Sequence, residues 1–214
     1  VPLAKLATKV MLGRRLADLG LTREQVPTHI SVKEAVLPFD RFPDVDTLLG
    51  PEMKSTGEVM GIDTDFGAAY AKAQLGAGQN LPVEGAVFIS VTDRDKPAII
   101  EVARGFHEQG FTILATGGTG RFLGEAGIPA REINKVSEGR PHVVDAIKNN
   151  DIQLVINTGS GDTSRRDGFA IRQTALKFKI PYATTAAGAM AMCRGVAAMR
   201  QNPLSVKSIQ AYFS

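Results

Sequence analysis

From about Glu84 onward, short apolar runs alternate five times with segments whose apolar residues recur at helical spacing, and no other feature constrains the fold as strongly. Such alternation is how a parallel sheet with crossover helices reads in sequence. AVFISV (86–91) precedes a helix with Ile99, Val102, Ala103 and Phe106 on one face and Pro97 in its first turn. FTILAT (111–116) leads through a glycine-rich loop into a helix ending near Gly127. A shorter strand at AREI (130–133) is followed by the basic loop NKVSEGRP and a helix over 141–149. QLVINT (153–158) runs into the turn GSGD and then a helix whose face is marked by Ile171, Thr174, Ala175 and Phe178. PYATT (181–185) opens onto AAGAMAMCRGVAAM. The expectation is an α/β fold, a doubly wound five-stranded parallel sheet over 84–214, with its ligand at the carboxyl ends of the strands. Thr116, Thr119, Asn157, Thr158 and Thr184 all fall at those ends.

Residues 1–80 do not alternate in this way. A first helix carries Leu3, Leu6, Ala7 and Val10 on one face, and the extended runs SVKEAVLPF and GEVMGI are separated by the polar, proline-containing stretch FPDVDTLLGPEMKS. These apolar faces have little local partner, so the segment is expected to be the α+β tail of a larger domain, joined to the sheet domain by GAGQNLP (76–82).

The chemistry concentrates in ATGGTG (115–120). Gly117, Gly118 and Gly120 permit backbone conformations that turn N–H groups inward, and Thr116 and Thr119 add hydroxyls before a helix N-terminus, which suits a phosphate or carboxylate. A tight strand-to-helix turn needing glycine at positive φ explains the same residues without a ligand. The spacing fits neither GxGxxG nor GxxxxGK[ST], so neither a dinucleotide fold nor a P-loop NTPase follows. Charge points the same way: residues 1–80 carry 9 basic and 10 acidic side chains, whereas residues 81–214 carry 16 and 12, an excess of four positives in the half with the glycines. The bases are interspersed with acids and tryptophan is absent, which argues against nucleic acid. Cys193 is the only cysteine and reads as a buried helix residue, and His29, His107 and His142 lack metal-ligand spacing. No run reaches the roughly 20 apolar residues of a membrane span, and the first residues lack a signal-peptide pattern, so a cytoplasmic location is expected.

FPDVDTLLGPEMKSTGEVMG (42–61), followed by ATGGTG, INKVSEGRPH and INTGSGD, resembles the carbamoyl phosphate synthetase large subunit family over residues 1–212. The first part looks like the end of its second ATP-grasp region, and the remainder resembles its regulatory domain of methylglyoxal synthase-like fold. The resemblance implies a fragment of about a fifth of an enzyme that makes carbamoyl phosphate from bicarbonate, glutamine-derived ammonia and two ATP, for arginine and pyrimidine biosynthesis. It implies ATP with Mg or Mn as the parent enzyme's cofactors, and the rest of the large subunit and a glutaminase small subunit as partners, with oligomer contacts through the regulatory domain. No catalytic, metal or cofactor-binding residue is carried over to the fragment, which is expected to be inactive alone. The Asp44/Asp46 pair reads as solvated surface.

The same resemblance implies an allosteric nucleotide site for UMP, an inhibitor, and IMP, an activator. Its residues here would be Lys96, Thr116, Gly117, Gly118, Thr119, Lys135, Asn157 and Thr158, with Asn157 facing ribose or base. Without the resemblance, Lys96 and Lys135 would be read equally well as solvated lysines. Ornithine would bind at Glu34 and Thr184, which otherwise read as an exposed strand charge and a strand-end threonine. The chain departs from the family pattern at Gly117, often histidine there, and at Gly159, often threonine, which bears on nucleotide preference. The competing reading is a methylglyoxal synthase acting on dihydroxyacetone phosphate, with Asp162 as its base; the bland account of Asp162 is a helix cap.

Overall fold

The computed structural model describes the chain apart from residues 25, 42–44, 50–52, 160–161 and 213–214, and apart from the side chains of 40 and 162–165. Asp44 and the middle of the GSGD turn therefore lie outside the described residues.

Five strands, β3 (Ala86–Ser90), β4 (Thr112–Ala115), β5 (Arg131–Glu132), β6 (Leu154–Asn157) and β7 (Tyr182–Ala183), form one parallel sheet in the order β5-β4-β3-β6-β7. The chain moves outward from β3 to β5, then crosses back to β6 on the other side. This puts the switch point between β3 and β6, where Ser90 lies opposite Asn157. The helices are α3 (Lys96–Glu108), α4 (Gly117–Glu125), α5 (Val143–Lys148), α6 (Asp162–Lys177) and α7 (Ala186–Gln201). Central strands read as continuous apolar runs because both faces are covered. Val87 and Ile89 point to the face with α3 and α7, while Phe88 between them points to the face with α5 and α6.

The expected face of α3 is the buried one, with Pro97 in its first turn. Each such large apolar side chain contributes roughly 1.5–3 kcal/mol. In α6, Ile171 and Ala175 face the core as expected, but Phe178 does not. It follows the last helical residue, Lys177, and is 45% exposed, and Lys179 at φ 55 turns the chain away from the helix.

The amino-terminal region is less unpartnered than its sequence suggests. Strands β1 (Ile30–Val36) and β2 (Gly57–Asp63) pair antiparallel, and α2 (Phe66–Gly76) packs on them with one side and on α7 with the other. Glycine makes the approach possible. A Cβ on Gly61 would overlap the Ala69 carbonyl, and one on Gly67 would overlap the Arg194 carbonyl. Tyr70, Ala71 and Leu81 thereby join the same core as Val196 and Ile89. The helix α1 (Leu3–Met11) keeps the expected apolar face but buries none of its residues. The end of the chain returns to this side, where the Tyr212 hydroxyl donates to the Ile62 carbonyl at 2.9 Å. Among the described residues no helix is long and apolar enough to cross a membrane.

Candidate functional site

The carboxyl ends of β3, β4 and β6 bring most of the expected residues together, though by a different local structure at the glycines. ATGGTG is not a loop. Thr116, in extended conformation, is the N-cap, and Gly117 already begins α4. None of Gly117, Gly118 and Gly120 has positive φ, so neither inward-turned loop amides nor a tight left-handed turn explains them. Their effect is to strip side chains from the first turn of the helix, whose leading N–H groups have no intrahelical acceptor and receive no side-chain cap.

What surrounds that bare turn is informative. A Cβ on Gly118 would meet only the Lys96 Nζ, at 3.9 Å, so the ammonium hangs over the helix N-terminus. Lys96 is the first residue of α3, where it pairs with Asp93 at 2.7 Å and lies 5.8 Å above the Phe122 ring. The hydrogen bond and charge of Lys96 hold the Asp93 carboxyl below its usual range. On the other flank, a Cβ on Gly117 would come within 2.8 Å of the Glu132 carboxylate. Thr116 and Thr119 are buried, unlike typical loop threonines. Thr116 shares a hydrogen bond with the Ser90 hydroxyl at 3.2 Å, and Thr119 Oγ1 accepts from the Val91 N–H at 3.4 Å, leaving its own hydroxyl proton to give.

The end of β6 is woven into this corner. Thr158 donates its N–H to the Ser90 carbonyl, and its Oγ1 accepts from the Thr92 N–H, both at 3.2 Å. The Asn157 amide is engaged at both ends: Nδ2 donates to the Ser90 carbonyl at 3.2 Å, and Oδ1 accepts from Arg172 Nη1 at 2.6 Å. Lys135 follows β5 and caps a short 3₁₀ turn, with its backbone N–H on Glu138 at 2.7 Å and its ammonium 3.9 Å from the same carboxylate. It lies just beyond the carboxyl end of β5 and makes no hydrogen bond to α4.

Arg172 is the residue that the sequence reading missed. It is 0% exposed, yet it stands one position after Ile171 on a helix judged by its apolar spacing. Its charge is met by Asp46, which accepts from Nε at 2.9 Å and from Nη2 at 2.6 Å. This corrects the reading of Asp46 as solvated surface. Burial raises the Asp46 pKa, but hydrogen bonds and charge from Arg172, with the N–H groups of Leu48 and Thr47, outweigh it and leave the carboxyl below its ordinary value.

Glu34 lies on β1 opposite Val59, with its carboxyl pushed up by burial and partly relieved by a hydrogen bond from Gln74. Thr184 follows β7, just before Thr185, whose hydroxyl accepts from the Gly188 N–H at 3.1 Å to cap α7. No hydrogen bond joins Glu34 to Thr184; the packing of α2 on α7 connects their two parts of the fold. Asp162 begins α6, and its side chain lies outside the described residues. Cys193 is buried, as expected, and burial pushes its thiol pKa up. Among the described residues no group of three or more His, Cys, Asp or Glu could hold a metal ion. Two cavities lie elsewhere, one of about 560 Å³ near His107 and Arg131 and one of about 910 Å³ near Leu16 and Tyr212. Neither contains the convergent donors at the first turn of α4.

A family model described as MGS-like domain matches residues 98–184. Over 212 residues, 99% of this chain, 56% are identical to the carbamoyl phosphate synthase large chain of a Nostoc species, of which 19% is covered. The corresponding protein of Archaeoglobus fulgidus is 51% identical over 213 residues, 99% of this chain and 20% of its own length. The arginine-specific large chain of Arabidopsis thaliana, named as chloroplastic, is 46% identical over 213 residues, 99% of this chain and 18% of its own length. The chain thus spans about a fifth of the length of the relatives it matches. It matches the carboxyl-terminal fifth of carbamoyl phosphate synthase large chains, including their MGS-like domain, at about 50% identity.

Proposed function

We propose that this chain is the regulatory end of a carbamoyl phosphate synthase large chain and that its MGS-like domain, taken as 84–214, binds nucleoside monophosphates through their phosphate. UMP is the inhibitor and IMP the activator. The observation that carries this reading is the Lys96 ammonium above the side-chain-free, uncapped first turn of α4, beside the sheet's switch point. A phosphate there receives backbone N–H groups, the Thr119 hydroxyl and Lys96, with Lys135 closing from the β5 side. Charge-assisted bonds of this kind contribute about 1.5–3 kcal/mol each. Ornithine binds at Glu34 and Thr184, with the half-buried carboxylate meeting an ammonium.

In this reading residues 1–80 are the tail of the second ATP-grasp region. The parent enzyme makes carbamoyl phosphate from bicarbonate, ammonia released by a glutaminase small subunit, and two ATP with Mg or Mn, and it works in the cytoplasm. Catalysis resides in parts of the large subunit other than this chain. Calorimetry of UMP and IMP against the chain tests the nucleotide site: Lys96→Ala lowers affinity by about tenfold, the equivalent of 1.4 kcal/mol. Unchanged affinity in Lys96→Ala and in Lys135→Ala removes both lysines from the site. Production of methylglyoxal from dihydroxyacetone phosphate, lost in Asp162→Asn, establishes the lyase reading instead.

A further inference from the structure

A polar chain runs from the end of β6 to the segment 45–48 of the amino-terminal region, and every link in it is buried or half-buried. Ser90 holds the Asn157 amide through its carbonyl and Thr116 through its hydroxyl. Asn157 accepts from Arg172, and Arg172 grips both carboxylate oxygens of Asp46. Asp46 accepts in turn from the Leu48 N–H at 3.3 Å. The neighbouring Gln173 donates to the Val45 carbonyl at 2.6 Å, so two successive residues of α6 hold the same segment. Space for the central link is reserved by Gly168, where a Cβ would stand 2.6 Å from Arg172 Nη1 and 2.9 Å from Asn157 Oδ1.

A fully buried arginine is costly to desolvate and is no efficient way to stabilise a fold. What guanidinium does well is geometry: a rigid fork of five donors satisfies a carboxylate with one edge and an amide oxygen with the other, which the point charge of lysine cannot do. The fork fixes which end of the Asn157 amide faces Ser90, and so fixes the floor beneath Thr116.

We infer that Arg172 is a positioning residue through which occupation of the anion site at α4 is felt by segment 45–48. The inference rests on the nucleotide reading above. A ligand that draws Thr116 and the end of β6 into one arrangement favours the matching arrangement of Asn157 and Arg172, and hence of Asp46. By linkage the reverse also holds.

Hydrogen exchange of the Thr47 and Leu48 amides, with and without saturating UMP, tests it on the whole chain. UMP slows their exchange by about fivefold or more in the wild type, the lower end of ordinary coupling. Arg172→Lys, which keeps the charge but not the fork, still binds UMP and loses this slowing. Asp46→Asn leaves Arg172 in place, so it carries the test if the lysine variant does not fold. UMP-dependent slowing of the same size in Asp46→Asn, or none in the wild type despite measured binding, overturns the inference alone. Absence of UMP binding by the wild-type chain overturns the nucleotide reading and the inference with it.

Discussion

Replacing Gly118 by alanine separates the two reasons a glycine could stand in the first turn of α4. If the backbone required glycine, φ would be positive or a Cβ would clash, and neither holds: the residue is helical, and its Cβ would meet only the Lys96 ammonium, 3.9 Å away. The fold itself therefore gains from alanine, by up to about 0.5–1 kcal/mol. For a chain of this size, a gain of about 1 kcal/mol raises Tm by roughly 2–4 °C. The new methyl group nevertheless projects into the space between the helix N–H groups and Lys96, where the phosphate is proposed to sit. Losing one charge-assisted hydrogen bond costs about 1.5–3 kcal/mol, or about tenfold to a hundredfold in UMP affinity. Gly124, on the same helix with nothing within 4 Å of a Cβ, is the control: Gly124→Ala stabilises similarly and leaves binding unchanged. Calorimetry and thermal denaturation on the three proteins decide the matter. Wild-type UMP affinity in Gly118→Ala refutes the placement of the anion, and a lowered Tm refutes the claim that this glycine serves the ligand rather than the fold.

Gly67→Ala forces a methyl group into the Arg194 carbonyl, so α2 separates from α7 at a cost of about 1–3 kcal/mol, read as a lower urea midpoint with an unchanged slope. An unaltered midpoint means that the helices do not meet this closely. Glu34 gives a pH dependence of known sign. Its folded pKa is raised above the ordinary 4.5, so the folded state binds the proton more tightly and stability falls as pH climbs through and above that value. Glu34→Gln therefore matches the wild type near pH 4 and is more stable than it at pH 7 in urea titrations, and a constant difference across that range contradicts the burial of this carboxyl. Ornithine binding, followed by calorimetry in a complete large subunit, is lost when Glu34 and Thr184 are both alanine, and full retention shows that the site lies elsewhere.

The parallel sheet was legible because its central strands are buried on both faces, which leaves unbroken apolar runs such as AVFIS and LVIN between helices of clear period. Two failures have physical causes. The glycines of ATGGTG suggest a loop because glycine is a poor helix former, yet a strand end and the hydrogen-bonded Thr116 and Thr119 start the helix at Gly117 regardless. Arg172 and Asp46 were invisible because neither residue type announces burial, and their partnership spans 126 positions of sequence. The packing of α2 was hidden for the opposite reason. Its contact with α7 is made by Gly67 against Arg194 and by Tyr70 against Gly195, while Ala69 and Ala73 approach Gly61 of β2, so the helix is covered on two sides and shows almost no amphipathic contrast.

These two ties between the amino-terminal region and the sheet differ in kind, and the difference decides where movement can be localised. The contact of α2 with α7 is backbone-close and apolar, continuous with the main core through Tyr70, Ala71 and Leu81. Close packing of this sort permits no intermediate spacing, so residues 66–76 move with the sheet or not at all. Segment 45–48 is held instead by directional polar links to Arg172 and Gln173, which a modest rotation of either side chain breaks or remakes. If effector binding reaches the rest of a large subunit through this chain, the response appears in exchange at Thr47 and Leu48 while the amides of α2 stay unchanged. A response spread evenly over both would assign the coupling to motion of the sheet as a whole and remove Arg172 from it.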